Sequence, residues 1–377
     1  MNKILEFPFY AKASLLCVGT YVLISMLSIA QGIIVPIIFG FIIATVLHPI
    51  VAFFIRKKMN RVVAIVITLL LSFIVLASFG TFIFSQMSLF SDSWPIFVEK
   101  FSLFFNQAIH WAPGYFDINA QKLNVWVEET KSELLNSGQA AIGQTLLSVG
   151  NTLIVIFLIP VYVFMILFYQ PLLLDFIHKL FRTENQSQVT VIVTQTKTVV
   201  QRYLVGLLIE AVIIATLNSV GLLILGIDYA ILIGILGALL NVIPYIGGLV
   251  AVAMPMMIAL VTKSSPIFAL YVMAVYYFIQ LIDNNYIVPK IVASKVRVNA
   301  LVSIIVVLAG GALWGVPGMF LSIPLTAIIK VICDNIESLK PFGFLLGDTM
   351  PDIAIFKIKG KKSISTPSAK ATPNPKV

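Results

Sequence analysis

Charge is scarce in this chain. Charged side chains make up 11% of its 377 residues, against about 25% in an ordinary soluble domain. Apolar residues make up 59%, and mean hydropathy is +1.02. So little charge cannot clothe a water-facing surface, which excludes a soluble globular protein. Cysteine is nearly absent too. Cys17 and Cys333 stand alone in or beside apolar runs, which argues against a disulfide framework. The three histidines, His48, His110 and His178, are scattered, so neither a metal cluster nor a cofactor is expected. There is no G-x-x-x-x-G-K-[ST] phosphate loop, no G-x-S-x-G and no H-E-x-x-H. Nucleotide hydrolysis and an intramembrane catalytic set are therefore not expected. The net charge of +9 needs no nucleic-acid partner, because it comes mainly from basic loops and a Lys-, Ser-, Thr- and Pro-rich tail at residues 357–376. That composition predicts disorder in the tail.

What remains is hydrophobic length. Runs of about 20 apolar residues span the hydrocarbon core as helices, because unpaired backbone amides are costly in lipid. Such runs occur near residues 13–33, 35–55, 62–89, 146–169, 203–226 and 268–282. The first reads as a transmembrane helix rather than a cleaved leader, since Glu6 and Pro8 precede a run longer than a usual leader core. Arg56, Lys57, Lys58 and Arg61 make the turn after the second helix strongly basic. By the positive-inside rule that turn is cytoplasmic, and both chain termini with it. Residues 91–145 then lie outside, with six acids against Lys100, Lys122 and Lys131. Within them, residues 98–111 and 123–135 have mixed apolar and charged faces, as expected of amphipathic helices near the membrane surface or of helices packed among neighbouring subunits.

Two further apolar stretches are broken midway by Gly and Pro. The first break reads NVIPYIGG from Asn241 to Gly248, and the second GGALWGVPG from Gly310 to Gly318. Ala230 precedes Pro255 by 25 positions and Ala300 precedes Pro324 by 24, so the two halves share a register. If both stretches dip in and return, 21 of the 25 bases fall inside; if both cross, 19 do. The count favours re-entry, and one crossing plus one hairpin per repeat inverts the second copy. The predicted fold is thus an all-α polytopic membrane protein. It has about six full transmembrane helices, two re-entrant hairpins in an inverted repeat, and an extracytoplasmic amphipathic segment. Its parts are helices 1–3 (residues 1–90), the outer segment (91–145), a fourth helix with a cytoplasmic linker helix (146–202), and a transport domain (203–335). That domain holds hairpins near 229–262 and 300–333, and a basic tail follows (336–377).

Candidate pathway residues follow from cost. Glu210 sits about two turns inside an apolar span, where an acid usually faces a pathway or a partner. It can carry a proton or merely tie helices together. Asn218 is eight residues on and shares its face, as pathway contact or interhelical glue. Asp283, Asn284 and Asn285 end an apolar run before Pro289, where they can bind a cation or polar solute or simply finish the helix. At the breaks, Gly247, Gly248, Gly315 and Gly318 permit close backbone approach. Pro244 and Pro317 free upstream carbonyls, while Asn241, Tyr245 and Trp314 offer polar or stacking surface. Non-helical backbone at membrane depth persists only when buried in protein or lining a wet cavity, so both tips are expected to line one.

At these residues the chain resembles the AI-2E (autoinducer-2 exporter) family, also called the PerM-like permeases. The resemblance rests on Tyr203-Leu204-Val205-Gly206, Gly226, Asn241 to Gly247, and Asp283-Asn284-Asn285 with Pro289-Lys290. It continues through Gly310 to Gly318 and Ile323-Pro324. The resemblance implies a multi-pass transporter of the bacterial inner membrane that assembles as a homo-oligomer, a pentamer being one arrangement. It implies export of a small polar solute such as autoinducer-2, or sodium(lithium)/proton antiport in which Glu210 and Asp283 compete for proton and monovalent cation. A non-transporting membrane scaffold, which recruits partners through the outer segment, is the third reading.

Overall fold

The structure, a computed structural model, describes residues 8–111, 125, 129–132, 158–182, 185–242, 246–263, 265–293 and 298–348. Among them there is no strand. Long apolar runs satisfy their amides internally, and helices follow: α1 (Phe9–Ile29), α2 (Gln31–Arg56) and α3 (Arg61–Trp111). Next come α4 (Leu158–Leu180) and α5 (Gln186–Ile224). The shorter α6 (Ala230–Asn241) and α7 (Ile246–Thr262) precede α8 (Ile267–Ile282), which continues as a π-helix over Asp283–Ala293. α9 (Ala300–Asn335) and α10 (Lys340–Leu346) close the described chain.

Seven of the described helices are long and apolar enough to cross a membrane: α1, α2, Arg61–Ser91 of α3, α4, α5, Ile267–Ile291 and α9. The chain is an all-α polytopic membrane protein. Length alone misleads at α9, however. Its backbone is non-helical at Trp314 (φ −133°, ψ 16°) and Gly315 (φ 63°, ψ −145°). A Cβ on Gly310 would run into the Gly318 carbonyl and Ser322 Oγ, and one on Gly311 into the Met319 side chain. In an unbroken helix residues 310 and 322 stand about 18 Å apart, so the chain reverses at Gly315. The ends of α9 agree. Asn299, which caps its start, bonds to the carbonyls of Leu345 and Gly347 beside α10, while Asp334, near its end, abuts Gly343 of the same short helix. α9 is a helical hairpin closed at its base by α10. The tail expected from residue 336 therefore begins with ordered structure; residues 349–377 lie outside the described residues.

The other hairpin is built by α6 and α7. Residue pairs symmetric about positions 243–245 meet: Gly247 presses on the Leu240 carbonyl, and Gly237 faces Ala251. At 12 and 17 residues these arms are about 18 and 25 Å long, short of the roughly 30 Å hydrocarbon core. Leu222, Ile233, Ile258 and Val272 seal this hairpin against α5 and α8. The second hairpin is sealed by Ile42 of α2, Tyr203 and Leu204 of α5, and its own Val307 and Leu321.

Two elements differ from the sequence expectations, and a third lies mostly outside the described residues. α3 runs 51 residues through Trp111, so residues 98–111 extend a transmembrane helix rather than forming a separate surface helix. Before this extension, Phe90 meets Tyr229 edge-on at 5.3 Å, which docks α3 on the base of the first hairpin. Of the segment 123–135, only Val125 and Glu129–Ser132 lie within the described residues, and they are helical. Finally, Asp283 does not end a helix but starts the π-segment. Pro289 inside it has no N–H to donate, and the wide π-turn absorbs its ring and the lost bond.

A polar stripe along the first hairpin

Asp283 is the most enclosed acid among the described residues, with 1% of its surface exposed. Its Oδ2 accepts from Asn241 Nδ2 at 3.0 Å and from Gln280 Nε2 at 3.5 Å. Its Oδ1 is buried and has no hydrogen-bond partner among the described residues. Asn241 is the last residue of α6, so this bond ties the tip of the first hairpin to the start of the π-helix. Gln280 also donates to Asn284 Oδ1 at 3.3 Å. Such wide turns occur often at functional sites.

α5 supplies the facing side. Glu210 is buried and lies within electrostatic reach of Asp283. Two turns further along, Asn218 is buried with Oδ1 unpaired, and across from it the Tyr276 hydroxyl is buried and unpaired too. Gly237 of α6 lies between them: a Cβ there would stand 3.4 Å from Asn218 Nδ2 and 3.5 Å from Tyr276 Oη. Positions 210, 214 and 218 share one face of α5, 237 and 241 one face of α6, and 276, 280 and 283 one face of α8. The result is a stripe with two polar levels, joined by Ile214, Ala238, Ile279 and Ile287. Asn218, Gly237 and Tyr276 form one level; Asn241, Gln280 and Asp283, with Glu210 facing them, form the other.

No lysine, arginine or histidine pairs with either acid among the described residues; the ion pairs lie elsewhere, at Lys179–Asp175, Lys330–Asp334 and Lys340–Glu337. Nor do three or more His, Cys, Asp or Glu residues gather anywhere in that set. The polar groups at hand are two carboxyl groups, four amides and a phenol. That set can carry a proton, hold a monovalent cation through oxygens, or bond a small polar solute.

The structure thus brings Glu210, Asn218, Asn241, Asp283 and Asn284 together, with Gly248 beside them at 3.6 Å (Cβ position) from Gln280 Oε1. Gly247 is buried against Leu240 as part of the turn itself. Asn285 is exposed, its amide bonded back to the Leu281 carbonyl at 2.8 Å. Pro244 and Tyr245 lie outside the described residues. The second tip sits elsewhere: Trp314 Nε1 donates to the Leu27 carbonyl of α1 at 3.0 Å. Gly315, Pro317 and Gly318 turn α9 there, with Phe320 stacked on Phe39 of α2 at 5.8 Å. Whereas α6 and α7 pack with α3, α5 and α8, α9 packs with α1, α2, α5 and α10. Gln280, Tyr276 and Gly237 were not singled out from sequence. Their signal was the spacing of Tyr276, Gln280 and Asp283 at i, i+4 and i+7 along one helix face.

Comparison with known proteins gives a consistent outcome. A model of the AI-2E family of transporters matches residues 14–338. YueF, a candidate transport protein of Bacillus subtilis (strain 168), is 25% identical over 321 residues, 81% of this chain and 84% of the relative. YhhT, a candidate transport protein of Escherichia coli (strain K12), is 24% identical over 340 residues, covering 88% and 92% of the two chains. The AI-2 transport protein TqsA of the same strain is 24% identical over 321 residues, covering 85% and 90%.

Proposed function

The chain belongs to the AI-2E family of membrane transporters, and on that premise we propose that it is a secondary transporter exporting a small polar solute along the stripe beside the first hairpin. The observation that carries the reading is Asp283: a carboxyl group enclosed among helices, held on one oxygen by Asn241 and Gln280 and open on the other. Acids kept at such cost inside a membrane protein mark pathways. Unpaired oxygens of Asn218 and Tyr276 one level away extend the polar track. The two short hairpins re-enter the membrane from opposite sides, and the apolar α1, none of whose residues is buried, faces lipid or other copies in a homo-oligomer. On this reading the protein lies in the bacterial inner membrane, and its basic α2–α3 turn supports cytoplasmic placement of both termini. The name carried by TqsA makes autoinducer-2 the first solute to try.

A second reading, cation–proton antiport, is favoured by the absence of any basic partner for the facing acids Glu210 and Asp283 among the described residues. Two acids without a base suit competition between a proton and a sodium or lithium ion.

Proteoliposomes separate these readings. Vesicles loaded with autoinducer-2 should lose it faster with the protein than without; equal efflux rules out that solute. An imposed sodium gradient should move protons only if the antiport reading holds.

A further inference from the structure

A second feature lies at the opposite end of α5. A cavity of about 710 Å³ opens between α2, α4, the start of α5 and the end of α9, within the ~300–1,000 Å³ range of ligand pockets. It is separate from the polar stripe: Lys197, its nearest lining residue on α5, precedes Glu210 by about 20 Å of helix. Its walls are largely aliphatic. Its rim is formed by Phe41, Leu173 and Phe181, which are 43%, 40% and 47% exposed. The slot therefore opens sideways between α2 and α4, which are long and apolar enough to cross a bilayer, and the start of α5, which precedes the apolar run at 203–226.

Among the described residues its charge is of one sign: no Asp or Glu of that set lines it, and its one charged lining residue is Lys197, which has no ion-pair partner there. His48 lies within electrostatic reach of both Lys197 and Arg61. Arg61 donates through Nη2 to the carbonyl of Leu167, a lining residue, while its Nε is buried with no partner. An aliphatic slot with cationic groups, and no acid among its described lining residues, fits an anionic amphiphile. The same end carries Arg56, Lys57 and Lys58, whose charge draws anionic headgroups to that leaflet. The chain's own Lys-rich C-terminal segment has the wrong sign to occupy the slot.

We propose that this cavity binds one anionic phospholipid, an acyl chain in the slot between α2, α4 and α5 and the phosphate at Lys197 beside His48 and Arg61. The site goes beyond the transport reading and does not depend on it.

Native mass spectrometry of the delipidated full-length protein tests it, with phosphatidylglycerol, phosphatidylcholine or inorganic phosphate added. One phosphatidylglycerol per chain should survive activation that strips phosphatidylcholine. Lys197→Gln should lower that preference about fivefold, the share of one interfacial cation. Ile192→Trp, which fills the slot, should abolish lipid retention, and Leu173→Trp at the rim is the second variant should the first misfold. Equal retention of the two lipids would overturn the proposal, as would undiminished retention by a folded slot-filled variant. Inorganic phosphate that displaces phosphatidylglycerol at comparable concentration would reduce the site to a bare anion site and would also overturn it.

Discussion

Asn241 Nδ2 lies 3.0 Å from Asp283 Oδ2, a bond across 42 positions that joins the last residue of one short helix to the first residue of a π-turn. The bond leaves Asp283 Oδ1 free to meet something else. Any movement of the first hairpin against α8 must stretch or break it, so the contact links hairpin position to the state of the acid.

Removing the donor tests that link. Asn241→Ala deprives the buried carboxyl group of its shortest bond, and hydrogen bonds to charged groups contribute about 1.5–3 kcal/mol. Transport in proteoliposomes should fall on the order of tenfold or more. Unchanged flux would show that the bond is dispensable.

Glu210→Gln keeps the shape and removes the titrating group. If Glu210 carries the proton, transport by the variant, measured across pH 5–9 in about half-unit steps, should lose the pH dependence of the parent protein. An identical profile would assign proton traffic elsewhere.

Gly237 offers a graded obstruction. A methyl group there meets Asn218 and Tyr276 at ordinary contact distances, 3.4 and 3.5 Å, so Gly237→Ala should fold and transport. Gly237→Leu projects into the space between those polar groups. It should cut flux strongly while the protein retains its oligomeric elution and melting temperature.

Hairpin closure is open to a stability test. Gly310→Ala sets a methyl group against the Gly318 carbonyl and Ser322 Oγ, and overpacking of this kind costs about 1–3 kcal/mol. Gly315→Ala must hold φ 63° and ψ −145°, a region open essentially only to glycine, at about 1–3 kcal/mol. Both variants should melt several degrees below the parent in detergent. Gly19→Ala, inside α1 with nothing within 4 Å, is the control that should not lower the melting temperature, since alanine favours the helix over glycine.

Much of this was legible in sequence because apolar length is a direct physical requirement of the bilayer. The spans of α1, α2, α5 and α8 follow from it, and the Gly- and Pro-marked breaks fall where both hairpins turn. The length of α3 was not legible, since its polar continuation past Ser91 has no hydrophobic run to announce it. The π-turn was also hidden, because it depends on how Pro289 is accommodated rather than on composition. In the site, Glu210 stood out by charge cost, and Asp283 by its place with Asn284 and Asn285 at the end of an apolar run before Pro289. That Trp314 would seek the Leu27 carbonyl, 287 positions away, has no local signal, and the same holds for the placement of the two tips against different helices.

Asp283→Asn, compared with the parent protein in the same proteoliposomes, bears most directly on the stripe as the pathway. Autoinducer-2 efflux and sodium-driven proton movement, read by a trapped pH dye, are followed together. The expected result is loss in the variant of whichever flux the parent supports, with folding and reconstitution unchanged. Full flux through a folded Asp283→Asn protein would contradict the claim that the solute or ion passes this acid.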